Sequence, residues 1–206
     1  MSVAHPDPEE ELAFIRSLTS PEASAAWRRG FGFIYALWGA AFGLPLLLEW
    51  GRWAGYLTLP QNFWLYASVT ATVLVIGVSV WAARRGEPAV GLQSRALTAT
   101  FSGIGWAYVA VLGALIAVSV KLQDGRIMML HGMVVFAFQG AAWYAVWALQ
   151  KRLWIGLVAA GWYVAALALG VTFGTQDFIL IAAVGLLLLM TLPGWLMMRP
   201  SSPARA

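Results

Sequence analysis

The side chains able to do chemistry are few, and they gather at the margins of long apolar runs. The sequence holds 2 histidines and no cysteine. Without thiols there is no disulfide, no thiolate zinc site, no iron–sulfur cluster and no cysteine nucleophile. His5 lies near the start of the chain, so His131 is the one histidine beside an apolar run. As a metal or haem ligand it would need further donors, and only Met128 and Met133 are close in sequence. An interfacial histidine bonded to backbone or lipid phosphate is the simpler expectation. Glu49, Asp124 and Asp177 stand at the ends of apolar stretches, where carboxylates serve as caps. A site built from His131 and one of these acids is the nearest approach to an enzyme, and no helical spacing joins them. The sequence therefore predicts no catalytic machinery, no metal and no cofactor.

Hydrogen-bonding groups also lie deep inside the apolar runs. Trp38, Trp106 and Trp162 fall near the midpoints of theirs, as do Tyr108, Tyr163 and Gln139. Trp143 follows Gln139 by four residues and shares its helical face. An indole N–H or a carboxamide left unpaired in hydrocarbon costs a few kcal/mol, so these groups should converge on partners. Two outcomes are open. One is an aromatic-walled pocket holding a flat or lipophilic ligand against Gln139. The other, which is simpler, is a packed cluster whose polar atoms bond one another. No Asp, Glu, Lys or Arg occurs in the inner part of any run, which argues against proton relays and ion-coupled transport.

The elements that must position these groups are membrane helices. Of 206 residues, 61% are hydrophobic and only 11% charged, against about one quarter charged in soluble domains. Six apolar stretches, at about 31–48, 63–83, 97–119, 127–149, 153–173 and 178–198, are 18 to 23 residues long. At ~1.5 Å per residue that is roughly a bilayer core in thickness. The expected fold is an all-α bundle of six spans, since lipid offers backbone groups no outside partner. Ten Lys and Arg flank one side (Arg16, Arg28, Arg29, Arg84, Arg85, Arg95, Lys151, Arg152, Arg199, Arg205) and three the other (Arg52, Lys121, Arg126). That asymmetry places both termini in the cytoplasm. The net charge of +4 is explained by anionic lipid, with no nucleic-acid partner implied.

Residues 1–30 form a cytoplasmic segment in this reading, and 199–206 a cytoplasmic tail. Asp7-Pro8-Glu9-Glu10-Glu11 marks a helix start, and Leu12, Ile15 and Leu18 give it an apolar stripe too short to span, ending at Pro21. Small residues mark where helices approach closely. Gly39 and Gly43 form such a pair, and Gly156, Gly161, Gly170 and their alanines make the fifth span the expected centre of the bundle. Spans two and six lack mid-depth aromatics and are expected to face lipid or another subunit. A protein partner would dock through residues 1–20 or through a Gly/Ala face (Gly39, Gly43, Gly161, Gly170). Pro45 and Pro193 predict kinks near the ends of their helices. Trp81-Ala82-Ala83-Arg84-Arg85 echoes Trp147-Ala148-Leu149-Gln150-Lys151-Arg152, and Gly105-Trp106 echoes Gly161-Trp162, a pattern that a parallel duplication of one hairpin would leave.

The stretch Glu10-Glu11-Leu12-Ala13-Phe14-Ile15-Arg16, followed by Gly-Phe-Ile-Tyr-Ala-Leu-Trp-Gly at 32–39, resembles the opening of a family of bacterial inner-membrane proteins of similar length and six-span outline. The resemblance covers the first 50 residues and implies a location but no activity. The aromatic richness is also similar to that of the tryptophan-rich sensory proteins that bind tetrapyrroles. That family has five spans with prolines among its characteristic tryptophans, and this chain departs on both counts. Three functions follow as expectations: an interaction or structural subunit of a membrane assembly, a carrier or sensor of a lipophilic molecule, and, least favoured, an enzyme with a site at the periplasmic rim.

Overall fold

The computed structural model describes residues 21–85 and 92–199. It has six helices long and apolar enough to cross a membrane, and no strand among the described residues. They are α1 (Pro21–Trp53), α2 (Phe63–Arg85), α3 (Leu92–Leu122), α4 (Ile127–Gln150), α5 (Leu153–Val171) and α6 (Gln176–Met198). The chain is an all-α, polytopic membrane bundle. The expected interfacial helix before Pro21 and the tail from 200 lie outside the described residues.

Five of the helices keep close to their expected bounds, but α1 begins ten residues before the expected first span. Pro21 starts it, a position where a missing N–H costs nothing, and the alanines that follow favour helix. Trp27 then stacks on Phe31 at 5.4 Å, and Phe31 on Tyr35 at 5.7 Å, an aromatic file that carries the helix past Arg28 and Arg29 into the apolar zone. At the other end Gly55, at φ +80°, turns the chain back in the left-handed conformation that glycine takes without penalty. The amides of Tyr56 and Leu57 both donate to the Gly51 carbonyl, so the following loop folds onto the end of α1.

The bundle is ordered as an arc that closes on itself where Phe31 of α1 meets Phe101 of α3 at 4.9 Å. Along it α2 packs on α1, α1 on α6, α6 on α5, α5 on α4, and α4 on α3. The α1–α6 contact is backbone against backbone. A Cβ placed on Gly194 would lie 2.5 Å from the Ala36 nitrogen and 2.6 Å from the Gly32 carbonyl oxygen. One placed on Gly39 would lie 2.5 Å from the Thr191 hydroxyl, and one on Gly43 2.9 Å from the Leu187 side chain. Lipid supplies no hydrophobic force between helices, so such contacts gain from dispersion between closely fitted backbones. Gly39 and Gly43 therefore serve a contact inside the chain.

This contact overturns the expectation that span six faces lipid. Phe178, Ala182, Ala183, Gly185, Met190, Pro193 and Gly194 of α6 are all buried. The fifth span is correspondingly less central than expected. It buries Ile155, Ala159, Trp162 and Leu169, but exposes Leu157, Val164, Leu167 and Val171. Pro193 has a visible consequence. In a regular α-helix its ring would clash with the Leu189 carbonyl and it has no N–H to offer, and just before it α6 widens into a π-turn over Leu187–Thr191. The amide of Leu192 donates to the Leu187 carbonyl across that wider turn.

The two hairpins that echo each other in sequence sit differently. α4 and α5 pack closely on each other, joined through Lys151 in a left-handed conformation, whereas α2 and α3 share no extensive contact. α2 and α3 are instead the two flanks of the arc. A paired substitution tests the packing. Gly194→Ala should force α1 and α6 apart and cost on the order of 1–3 kcal/mol, as overpacking does. Gly77→Ala on the open face of α2, where a Cβ meets nothing within 4 Å, should be neutral or slightly stabilising. Thermal unfolding of the purified variants in one detergent separates the two.

Candidate functional site

The deepest polar cluster lies between α1, α4 and α5. Trp143 of α4 donates its indole N–H to the Tyr35 hydroxyl of α1 at 2.6 Å. That hydroxyl donates in turn to the side-chain oxygen of Gln139 at 3.1 Å. Gln139 and Trp143, four residues apart on one face of α4, thus clasp a single hydroxyl from α1. Tyr35 is 4% exposed and Trp143 1%, so the network is sealed from the surroundings. Phe101 of α3 lids it, meeting Tyr35 at 6.0 Å and Trp143 at 6.2 Å edge-on. Trp162 of α5, fully buried, approaches the same hydroxyl with its own indole and packs edge-on against Phe136 at 4.8 Å. Its N–H makes no hydrogen bond of ordinary geometry. In a medium without water, a hydroxyl accepting one bond and donating another is the compact way to satisfy three polar side chains.

The seven residues singled out by depth divide into several places. Gln139, Trp143 and Trp162 come together around Tyr35. Trp38 lies apart and donates to the Ser79 hydroxyl of α2 at 3.2 Å, fastening that flank to α1. Tyr108, midway along α3, stands against the His131 ring at 4.8 Å. Tyr163 is half exposed and its ring covers Gly140. Trp106 is 75% exposed and turned away from the bundle. Trp106, Gln139 and Trp162 therefore do not wall one chamber. Tyr35 is the functional-looking residue that depth alone missed. Its signal was present: it sits toward the start of α1 as Trp143 sits toward the end of α4, and antiparallel helices put those two at one depth.

Of the titratable groups considered for catalysis, Glu49 and Asp124 are engaged within the chain. The Glu49 carboxylate, 5% exposed, accepts from the Nε of Arg52 at 3.0 Å, from Nη2 of the same residue, and from the Trp53 indole at 2.8 Å. Three donors on one carboxylate make a clamp at the end of α1 and leave little acceptor capacity for a substrate. Asp124 accepts the backbone N–H of Arg126 at 2.9 Å in the turn between α3 and α4. His131 does not reach a hydrogen-bond partner through Nε2, because Tyr108 covers its ring one turn inside the helix end. Among the described residues no three His, Asp or Glu side chains lie close enough to hold a metal ion.

The chain matches no protein-family model, no curated protein and no solved structure. What can be said of the site rests on its own geometry. Three side chains from α4 and α5 converge on one hydroxyl of α1, in an arrangement that locks helices to each other.

A double-mutant cycle measures that lock. Tyr35→Phe and Trp143→Phe should each lower unfolding stability in detergent, and the pair should couple by about 0.6–1.7 kcal/mol, the range for hydrogen bonds between membrane helices. Trp106→Leu should leave the melting temperature unchanged. A coupling of zero, or a Trp106 effect as large as that of Trp143, would remove the hub role of Tyr35.

Proposed function

We propose that this protein is a non-catalytic subunit of a bacterial inner-membrane assembly, with both termini in the cytoplasm, and that it meets its neighbour through the outer face of α3. One observation carries the reading. α3 packs chiefly on α4, with Phe101 also meeting Phe31 and Tyr35 of α1, and no residue of its apolar span other than Leu97 is fully buried. The opposite face carries Trp106 at mid-span, with Ala99, Ser102, Gly103, Ala110, Gly113 and Ala117 along the same stripe, all exposed. Cβ atoms placed on Gly103 or Gly113 would meet nothing within 4 Å. A stripe of small residues lets another helix approach to backbone distance. An indole N–H held in hydrocarbon favours a neighbour that brings an acceptor to that depth. The occupant is thus a transmembrane helix with a carbonyl, hydroxyl or amide oxygen near mid-membrane.

The orientation rests on the ten-to-three division of basic residues. A photocrosslinking amino acid placed in turn at residues 110, 117, 112 and 115 tests the docking face in native membranes. Positions 110 and 117 should yield discrete protein adducts, reduced severalfold by Trp106→Leu, while 112 and 115 should yield none. Lipid adducts alone at 110 and 117, with a monomer in mild detergent, would contradict the reading.

A second reading, carriage of a lipophilic molecule, has one observation in its favour. The buried Trp162 N–H makes no hydrogen bond of ordinary geometry, and a bound carbonyl or ether oxygen would supply one. Organic extraction of the purified protein should then release a small molecule in equal amount to the chain, and Trp162→Phe should abolish its retention. An extract containing only membrane lipids would end that reading.

A further inference from the structure

We infer that the cleft between α1 and α6 is a binding site for one anionic phospholipid, held by its phosphate between Arg29 and Arg199 with an acyl chain lying in the cleft. The cleft has a volume of about 460 Å³ and is apolar along its length, walled by Phe33, Leu37 and Ala40 of α1 and by Leu187, Leu192 and Trp195 of α6. Its lower end closes where the two helices touch. A Cβ on Gly32 would lie 2.9 Å from the Met197 side chain and 3.4 Å from that of Met198. Its upper part runs along the π-turn at Leu187–Thr191, where Thr191 rests on Gly39 and Leu187 on Gly43.

Depth and charge select the occupant. On α6 the walls run from Met198 to Leu187, at ~1.5 Å per residue about 16 Å, which is half of a hydrocarbon core. The cleft therefore serves one leaflet and stops at mid-membrane. Its headgroup end carries two guanidinium groups. Arg29 precedes Phe33 by four residues, and so continues the α1 wall on the same face. Arg199 follows Trp195 by four, and its guanidinium lies 3.8 Å above that ring. The Gly32–Met198 contact sets both residues at the same level. Both are exposed, and neither enters an ion pair among the described residues. A planar guanidinium stacked on tryptophan with its N–H edges free is well suited to bidentate contact with a phosphate. A zwitterionic headgroup would bring its own cation to the same two arginines.

The test uses the full chain in mild detergent, titrated with phosphatidylglycerol, phosphatidylcholine or inorganic phosphate and read by native mass spectrometry. One phosphatidylglycerol should be retained per chain. At about fivefold for each arginine near the membrane surface, its preference over phosphatidylcholine should be roughly thirtyfold. R29Q/R199Q should erase the preference, and Ala40→Trp, which fills the cleft while keeping both arginines, should eject the lipid. R84Q/R85Q is the control, because Arg85 also lies over a tryptophan, Trp81, at 4.8 Å but on α2 and not in the wall of the α1–α6 cleft. The control should bind as the parent does, and melting curves should confirm that all variants stay folded. The proposal falls if phosphatidylcholine binds equally, if R84Q/R85Q acts as strongly as R29Q/R199Q, if Ala40→Trp retains the lipid, or if inorganic phosphate alone displaces it at comparable concentration.

Discussion

Hydrocarbon neither donates nor accepts hydrogen bonds, and the arrangement of this bundle follows from how its few deep polar groups answer that constraint. The Tyr35 hydroxyl is where the answer is most concentrated. α1 and α4 are not joined by close backbone packing, yet one phenolic oxygen accepts from Trp143 and donates to Gln139, tying the two helices across the interior. The backbone contact of α1 with α6 through Gly32, Gly39, Gly43 and Gly194 supplies the other tie. With α5 completing the arc between α6 and α4, four helices become a unit around a packed core that includes Phe136, Ile155, Trp162, Leu169 and Phe178.

That division explains why the remaining two helices are so exposed. α2 is fastened to α1 by Trp38 on Ser79 and by the buried Ala71 and Val75. α3 is fastened to α4 by Leu97, Phe101 and the Tyr108–His131 contact. Each leaves most of its circumference outward, which in water would be a fault and in lipid costs nothing. Exposure alone is therefore uninformative here. What marks the outer face of α3 is its content, a tryptophan and a ladder of small residues, where an aliphatic face would suit acyl chains as well or better.

Much of the fold was legible in the residues because crossing a bilayer demands apolar runs of a fixed length, and charges delimit them. Rotation about each helix axis was not legible. In a soluble protein an apolar stripe points to the core, but in a membrane the core and the solvent are both apolar, so Trp106 and Trp162, equal in depth and in local sequence, end on opposite sides of their helices. The same blindness hid the role of α6, whose aliphatic run Leu186–Met190 gives no hint that its glycines and alanines form the tightest contact in the chain. Gln139 and Trp143 were recognisable as a pair by their spacing. Tyr35 was not, because its partners lie more than 100 residues away and only the antiparallel pairing of α1 with α4 brings them to one level.

The central claim is that Tyr35 holds the Trp143 and Gln139 side chains inside the membrane. The most direct measurement is nuclear magnetic resonance of the chain carrying 15N-labelled indole nitrogens, reconstituted in lipid. The Trp143 N–H should resonate at a strongly hydrogen-bonded position, resist exchange with deuterium, and shift in Tyr35→Phe while the Trp106 signal stays in place. A Trp143 signal that exchanges freely, or one that Tyr35→Phe leaves unmoved, would contradict it.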